Sequence, residues 1–182
     1  NIARDVRVDE KTVAEYFSIL EDTLVGFLLH PYHRSVRKKQ GTRPKFYWFD
    51  TGVKRALERT LDVPLKPQTS AFGEAFEHFV ILEIKKIANI ISPDIRLSFI
   101  RTSDGTQEID LIIERPGKPL VLIEIKSSTA IIDEKSVNKL KRFEKDFDKA
   151  ELYILSRDKK ERRVNGVRII PWDKGIRQIF KL

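Results

Sequence analysis

Four charged side chains in this sequence stand where the surrounding pattern calls for apolar ones. Asp110 interrupts "EIDLII", an otherwise apolar strand-like run. Glu124 and Lys126 lie two residues apart in "LVLIEIKSS", so strand alternation sets them on one face. Glu77 stands three and seven residues before Val80 and Ile84 in a helical pattern, which aims it along the edge of the apolar stripe. A buried carboxylate without a partner costs several kcal/mol, and one lysine cannot settle three of them. A divalent cation can. Asp110 and Glu124 therefore read as hard oxygen ligands, with Lys126 as a fixed positive charge beside them. Oxygen ligands favour magnesium or manganese.

Other chemistries are excluded by what the chain lacks. With no cysteine there is no disulfide, no thiolate nucleophile and no cysteine-held zinc or iron–sulfur centre. The three histidines, His30, His33 and His78, are too few for a polyhistidine metal site. Neither a Walker loop nor a Gly-x-Ser-x-Gly elbow occurs. Ser127 and Ser128 follow Lys126 directly and could donate to a phosphate.

The charge balance points to a polyanionic partner. The 182 residues carry a net charge of +8. From Pro31 to Phe49 no residue is acidic, while Arg34, Arg37, Lys38, Lys39, Arg43 and Lys45 are basic. A second group, Lys135, Lys139 and Arg142, falls on one side of a later helix and could line a backbone groove. Lys141, Lys145 and Lys149 alternate with Glu144, Asp146 and Asp148 and read as a solvated face.

These residues need elements to hold them. Two helices over residues 1–29 lead, the second capped by Asp9 and striped by Val13, Phe17, Leu20 and Leu24. Strands over Val25 to Tyr32 and Lys45 to Asp50 then flank the basic stretch. A helix-turn-helix followed by a basic hairpin is the plan of a winged helix. Such a unit grips a nucleic-acid backbone or joins proteins; Glu10, Glu15, Glu21 and Asp22 on its second helix are a poor complement to DNA. "TGVKRALERT" is a short helix, and Leu61 to Ser70, with two prolines and no periodicity, is a linker. Beyond it, a helix from Ala71 to Ile91 capped by Thr69 or Ser70 precedes three strands: Ile95–Arg101, Gln107–Glu114 and Pro119–Ser127. A helix from Asp133 to about Phe147, strands Glu151–Ser156 and Gly166–Ile170, and a helix from about Lys174 to Phe180 complete the reading. The expected domains are 1–60 (winged helix), 61–70 (linker) and 71–182 (an α/β unit of order α-β-β-β-α-β).

From "GEAFEHFV", "EIDLIIE" and "IEIKSS", the stretch from Ala71 to Leu155 resembles the PD-(D/E)XK nuclease superfamily, whose restriction-endonuclease-like core has this order and a mixed sheet. The resemblance implies a catalytic role for Glu77, Asp110, Glu124 and Lys126. It implies that Asp110, Glu124 and the Ile125 carbonyl ligate Mg2+ or Mn2+, and that Lys126 orients the attacking water. Over nearly the whole chain, "PKFYWFDTGV" and the same motifs are similar to the C-terminal region of a prokaryotic AAA-type ATPase family. That similarity implies an ATPase domain upstream, in keeping with a chain that starts at Asn1 without methionine. The expected function is metal-dependent DNA phosphodiester hydrolysis. The alternatives are a catalytically silent nuclease-fold module that binds DNA or protein for the ATPase, and a regulator led by the winged helix. Arg34, Arg37, Lys38, Lys39, Arg43, Lys135 and Lys139 are the expected nucleic-acid contacts. No apolar stretch is long enough to span a membrane, so a cytoplasmic chain is expected, and an oligomer is open.

Overall fold

The computed structural model describes residues 2–32, 43–102, 104–129 and 134–182. The elements in chain order are α1 (Ile2–Asp5), α2 (Glu10–Asp22), β1 (Gly26–Pro31), β2 (Lys45–Trp48), α3 (Thr51–Leu57), α4 (Ser70–Ile91), β3 (Arg96–Arg101), β4 (Glu108–Glu114), β5 (Leu120–Lys126), α5 (Glu134–Glu144), β6 (Ala150–Ser156), β7 (Arg162–Val164), β8 (Val167–Pro171) and α6 (Trp172–Phe180). The chain is an α/β protein built on a mixed sheet of order β2-β1-β3-β4-β5-β6-β8-β7.

Helix starts follow the side chains that can cap them. Asp9 accepts from the Thr12 N–H at 2.8 Å, Asp50 from Val53 at 2.9 Å and Thr69 from Phe72 at 3.2 Å. The expected helix ending near Phe147 stops at Glu144, where the Asp146 N–H turns back to the Phe143 carbonyl. The last helix begins two residues earlier than expected, at Trp172 directly after Pro171. Strand β7 was not expected. It returns on β8 through Asn165-Gly166, both at positive φ (50° and 85°), as a two-residue hairpin turn requires.

The sheet is covered on both faces. On one side Val80, Ile81 and Ile84 of α4 and Ile176 and Ile179 of α6 pack on Leu111, Ile113, Val121, Ile123 and Leu155. On the other, Val137, Leu140 and Phe143 of α5 cover Ile112, Leu122, Leu152 and Ile154. The odd-numbered side chains of β5 thus meet α4, while Leu122 meets α5. Buried Arg115 ties the end of β4 to the helix behind it, donating to the Ile179 carbonyl at 2.7 Å and to Glu151 at 2.6 Å.

The N-terminal hairpin joins the same sheet. β1 pairs in parallel with β3 through His30–Ser98 and Pro31–Phe99, and antiparallel with β2. Leu29 and Tyr47 lie in the core under α4.

Candidate active site

The sheet is irregular where the acidic residues gather. Against β3, the pairs Ser98–Ile112 and Ile100–Ile109 show that β4 spends one more residue than its neighbour. Asp110 and Leu111 therefore oppose Phe99 together, which is a β-bulge. Its consequence shows in the packing: Ile109 and Ile112, an odd number of residues apart, both sit in the cluster beneath α5. On its other side, β4 pairs with β5 from Ile113–Val121 to Leu111–Ile123. One step further, the Ile125 N–H donates 2.7 Å to the Asp110 carboxylate. An acidic side chain thus takes the place of a ladder carbonyl, and the bulge aims it there.

Glu124 is buried, with 1% of its surface exposed. Its Oε1 meets two ammonium groups, Lys126 Nζ at 2.7 Å and Lys139 Nζ at 2.6 Å. Its Oε2 is buried with no hydrogen-bond partner. The sequence expectation put Lys139 on a nucleic-acid groove; the structure brings it from α5 onto Glu124. Asp110 carries a pKa pushed up from 3.8 to about 8, first by burial and then by the nearby charges of Glu124 and Glu77, against the stabilising Ile125 N–H and Lys139.

Glu77 lies on α4, and its charge reaches Asp110. Its Oε1 accepts from the Tyr47 hydroxyl at 2.9 Å, and Lys45 Nζ lies 3.6 Å away. Lys45 also pairs with Glu108, which in turn holds Arg101. Burial works against the charge on Lys45, but Glu77, Glu108 and Asp110 outweigh it and raise its pKa. Tyr47 is raised as well, by burial first and then by Glu77. The sequence expectation includes neither Lys45 nor Tyr47 in the metal site; it places both on the return strand of the basic hairpin.

The other expected contacts distribute differently. Arg34, Arg37, Lys38 and Lys39 lie outside the described residues. Arg43 is exposed and pairs with Glu10 of α2. Lys135 is exposed in the first turn of α5. His78 is buried, with Nε2 at 2.8 Å from the Trp48 carbonyl. Ser127 faces the start of α4, its Oγ 3.7 Å from where a Cβ on Gly73 would stand.

Does this set fit a divalent ion? Among the described residues, no three His, Cys, Asp or Glu side chains converge as a ready ligand cluster. Magnesium asks for less: it keeps several waters and binds through one or two carboxylates. Asp110 and Glu124 meet that requirement, since Glu124 offers a buried oxygen without a partner and Asp110 a carboxyl whose charge its anionic neighbours oppose. The donor set fits a hard, oxygen-liganded cation.

Fold and site together define an α/β chain with paired acidic residues at a bulged edge of its central strands. The chain belongs to the family described as a domain of unknown function (DUF4143), whose model matches residues 72–174. A second domain of unknown function (DUF8612) matches residues 1–64. Two relatives, the uncharacterized protein Rv2008c of Mycobacterium tuberculosis and the uncharacterized protein Mb2031c of Mycobacterium bovis, are each 30% identical over 118 residues. That stretch is 65% of this chain and 26% of each relative, so the chain spans about a quarter of their length. No solved structure matches significantly. No helix among the described residues is long and apolar enough to cross a membrane.

Proposed function

We propose that this chain is a metal-dependent nuclease module with a PD-(D/E)XK-like core behind a winged-helix-like segment, acting on DNA as the C-terminal part of an AAA-type ATPase. The observation that carries the reading is the pairing of Asp110 with Glu124 on adjacent strands, with Lys126 2.7 Å from the latter and an orphaned oxygen left over. The order α4-β3-β4-β5-α5-β6 and the net charge of +8 support it. The greater length of the relatives supports a further domain.

Asp110 and Glu124 would hold Mg2+ or Mn2+, the Ile125 carbonyl adding a ligand. When bound, the ion supplies Lewis-acid polarisation of a phosphate and a more acidic water. The chain's own residues do the rest. Lys126 stands beside Glu124 to orient the attacking water and offset charge on the pentavalent phosphorus. Lys139, drawn in by Glu124, adds a second cation. To serve as a ligand, Asp110 would have to give up the proton that burial and its anionic neighbours favour. Glu77, held by Tyr47, borders the site on the α4 side.

A second reading has its own support. Two lysines already neutralise Glu124 Oε1, as they would in a silent nuclease-fold module that binds DNA or a protein for the ATPase. Cleavage of plasmid, single-stranded and branched DNA with Mg2+ or Mn2+ separates the two. Metal-dependent cutting lost in both Lys126→Ala and Glu124→Ala establishes the nuclease. Binding without cutting favours the silent module or a nuclease that needs the upstream ATPase.

A further inference from the structure

The N-terminal hairpin reaches into the site. Tyr47 lies on β2, within the segment matched by one family, while Glu77, Asp110 and Glu124 lie in the segment matched by the other. Its ring is fixed on two sides, stacked on Phe27 at 5.6 Å between centroids and edge-on to His78 at 5.3 Å. Only 7% of the residue is exposed. With the ring held between Phe27 and His78, the hydroxyl donates to Glu77 Oε1 at 2.9 Å. Gly73, one helical turn before Glu77 on the same face of α4, has its Cβ position 3.7 Å from the Ser127 Oγ just past β5, so the face that carries Glu77 turns toward the strands of Asp110 and Glu124.

We propose that Tyr47 is a positioning residue of the candidate metal site: through its hydroxyl it fixes the Glu77 carboxylate beside Asp110, so both family-matched segments are needed for full metal affinity. This rests on the metal-site reading above. Outer partners that orient metal ligands are commonly worth tenfold to a hundredfold in metal affinity or activity, and Tyr47, acting through a carboxylate that borders the site, belongs at the low end of that range. A core tyrosine that only fills space has no such effect, because Tyr47→Phe keeps the ring and its packing.

The test is Mn2+ titration of the full chain, read as the rise in melting temperature, for the unaltered protein, Tyr47→Phe, Glu77→Gln and the double variant. Tyr47→Phe is expected to raise the half-saturating Mn2+ concentration by about tenfold. In the Glu77→Gln background the same change is expected to have no further effect, because the hydroxyl acts only through that carboxylate. An unchanged half-saturation in Tyr47→Phe, even with a lower metal-free melting temperature, overturns the proposal and leaves the metal site standing. Equal effects of Tyr47→Phe with and without Glu77 also overturn it. No Mn2+ response in the unaltered chain overturns the metal site itself, and this inference with it.

Discussion

Asp110→Asn separates the cost of the carboxyl's charge from everything else it does. Asparagine keeps the shape and still offers an oxygen to the Ile125 N–H, but never ionises. In the metal-free protein the Asp110 pKa is raised from 3.8 to about 8. The folded chain therefore holds a proton that the unfolded chain has released, and stability is lost as pH rises from about 4 to about 8. A shift of about four units, at ~1.36 kcal/mol each, sets a ceiling of roughly 5 kcal/mol. Half of that, roughly 2–3 kcal/mol, moves the melting temperature by roughly 4–12 °C in a chain of this size. Without metal, Asp110→Asn is expected to melt within a few degrees of the unaltered protein at about pH 4.5 and well above it at about pH 8.5. Millimolar Mg2+ should then raise the melting temperature of the unaltered protein at the higher pH and leave the variant unmoved. The assay is thermal unfolding at two pH values, with and without metal. An Asp110→Asn variant that is no more stable than the parent at high pH would refute the argument that burial and like charge hold this carboxyl neutral.

Other outcomes follow from the packing. A Cβ on Gly26 would meet the Tyr47 backbone carbonyl at 2.6 Å, and a strand partner cannot step aside, so Gly26→Ala should lower stability by about 1–3 kcal/mol in urea unfolding. Arg115→Met removes three hydrogen-bonding contacts, to Ile179, Pro119 and Glu151, and should destabilise by about 3 kcal/mol, whereas Glu151→Gln should lose less. The His78 pKa is lowered from 6.5, chiefly by burial, so the unfolded chain takes up a proton that the folded chain refuses. Stability should accordingly fall as pH drops below about 6.5, and chemical unfolding of His78→Asn should lack that part of the slope.

Local signals were legible in the sequence and non-local ones were not. Asp9, Asp50 and Thr69 begin their helices because capping depends on the next three residues alone. Alternation in "LVLIEIK" puts Leu122 and Glu124 toward α5 while their neighbours meet α4, as period-two geometry dictates. The Asn165-Gly166 turn was also there to be read, and the three-residue β7 was too short and too charged for the hydrophobic pattern to mark it. The bulge at Asp110 could not be read, because it is a mismatch between two strands and belongs to neither. The sequence places Lys139 with Lys135 and Arg142 on a nucleic-acid groove; only the placement of α5 over β5 turns its Nζ to Glu124. The parallel pairing of β1 with β3 links residues some 68 apart, and no periodicity encodes that.

That pairing means the stretch matched by the larger family is not what has to fold. A piece cut to residues 72–174 would lose β1 and leave β3 as the rim of the sheet, with its free amide and carbonyl groups open to any strand that arrives. It would lose as well the part of α6 that supplies Ile176, Ile179 and Phe180 to the core and a carbonyl to Arg115. Such a piece is built to stick to copies of itself. Evolution can pass on the two matched segments as separate modules only where something else covers the bared strand, and any expression of this protein that aims at a soluble product should keep β1 and α6 together.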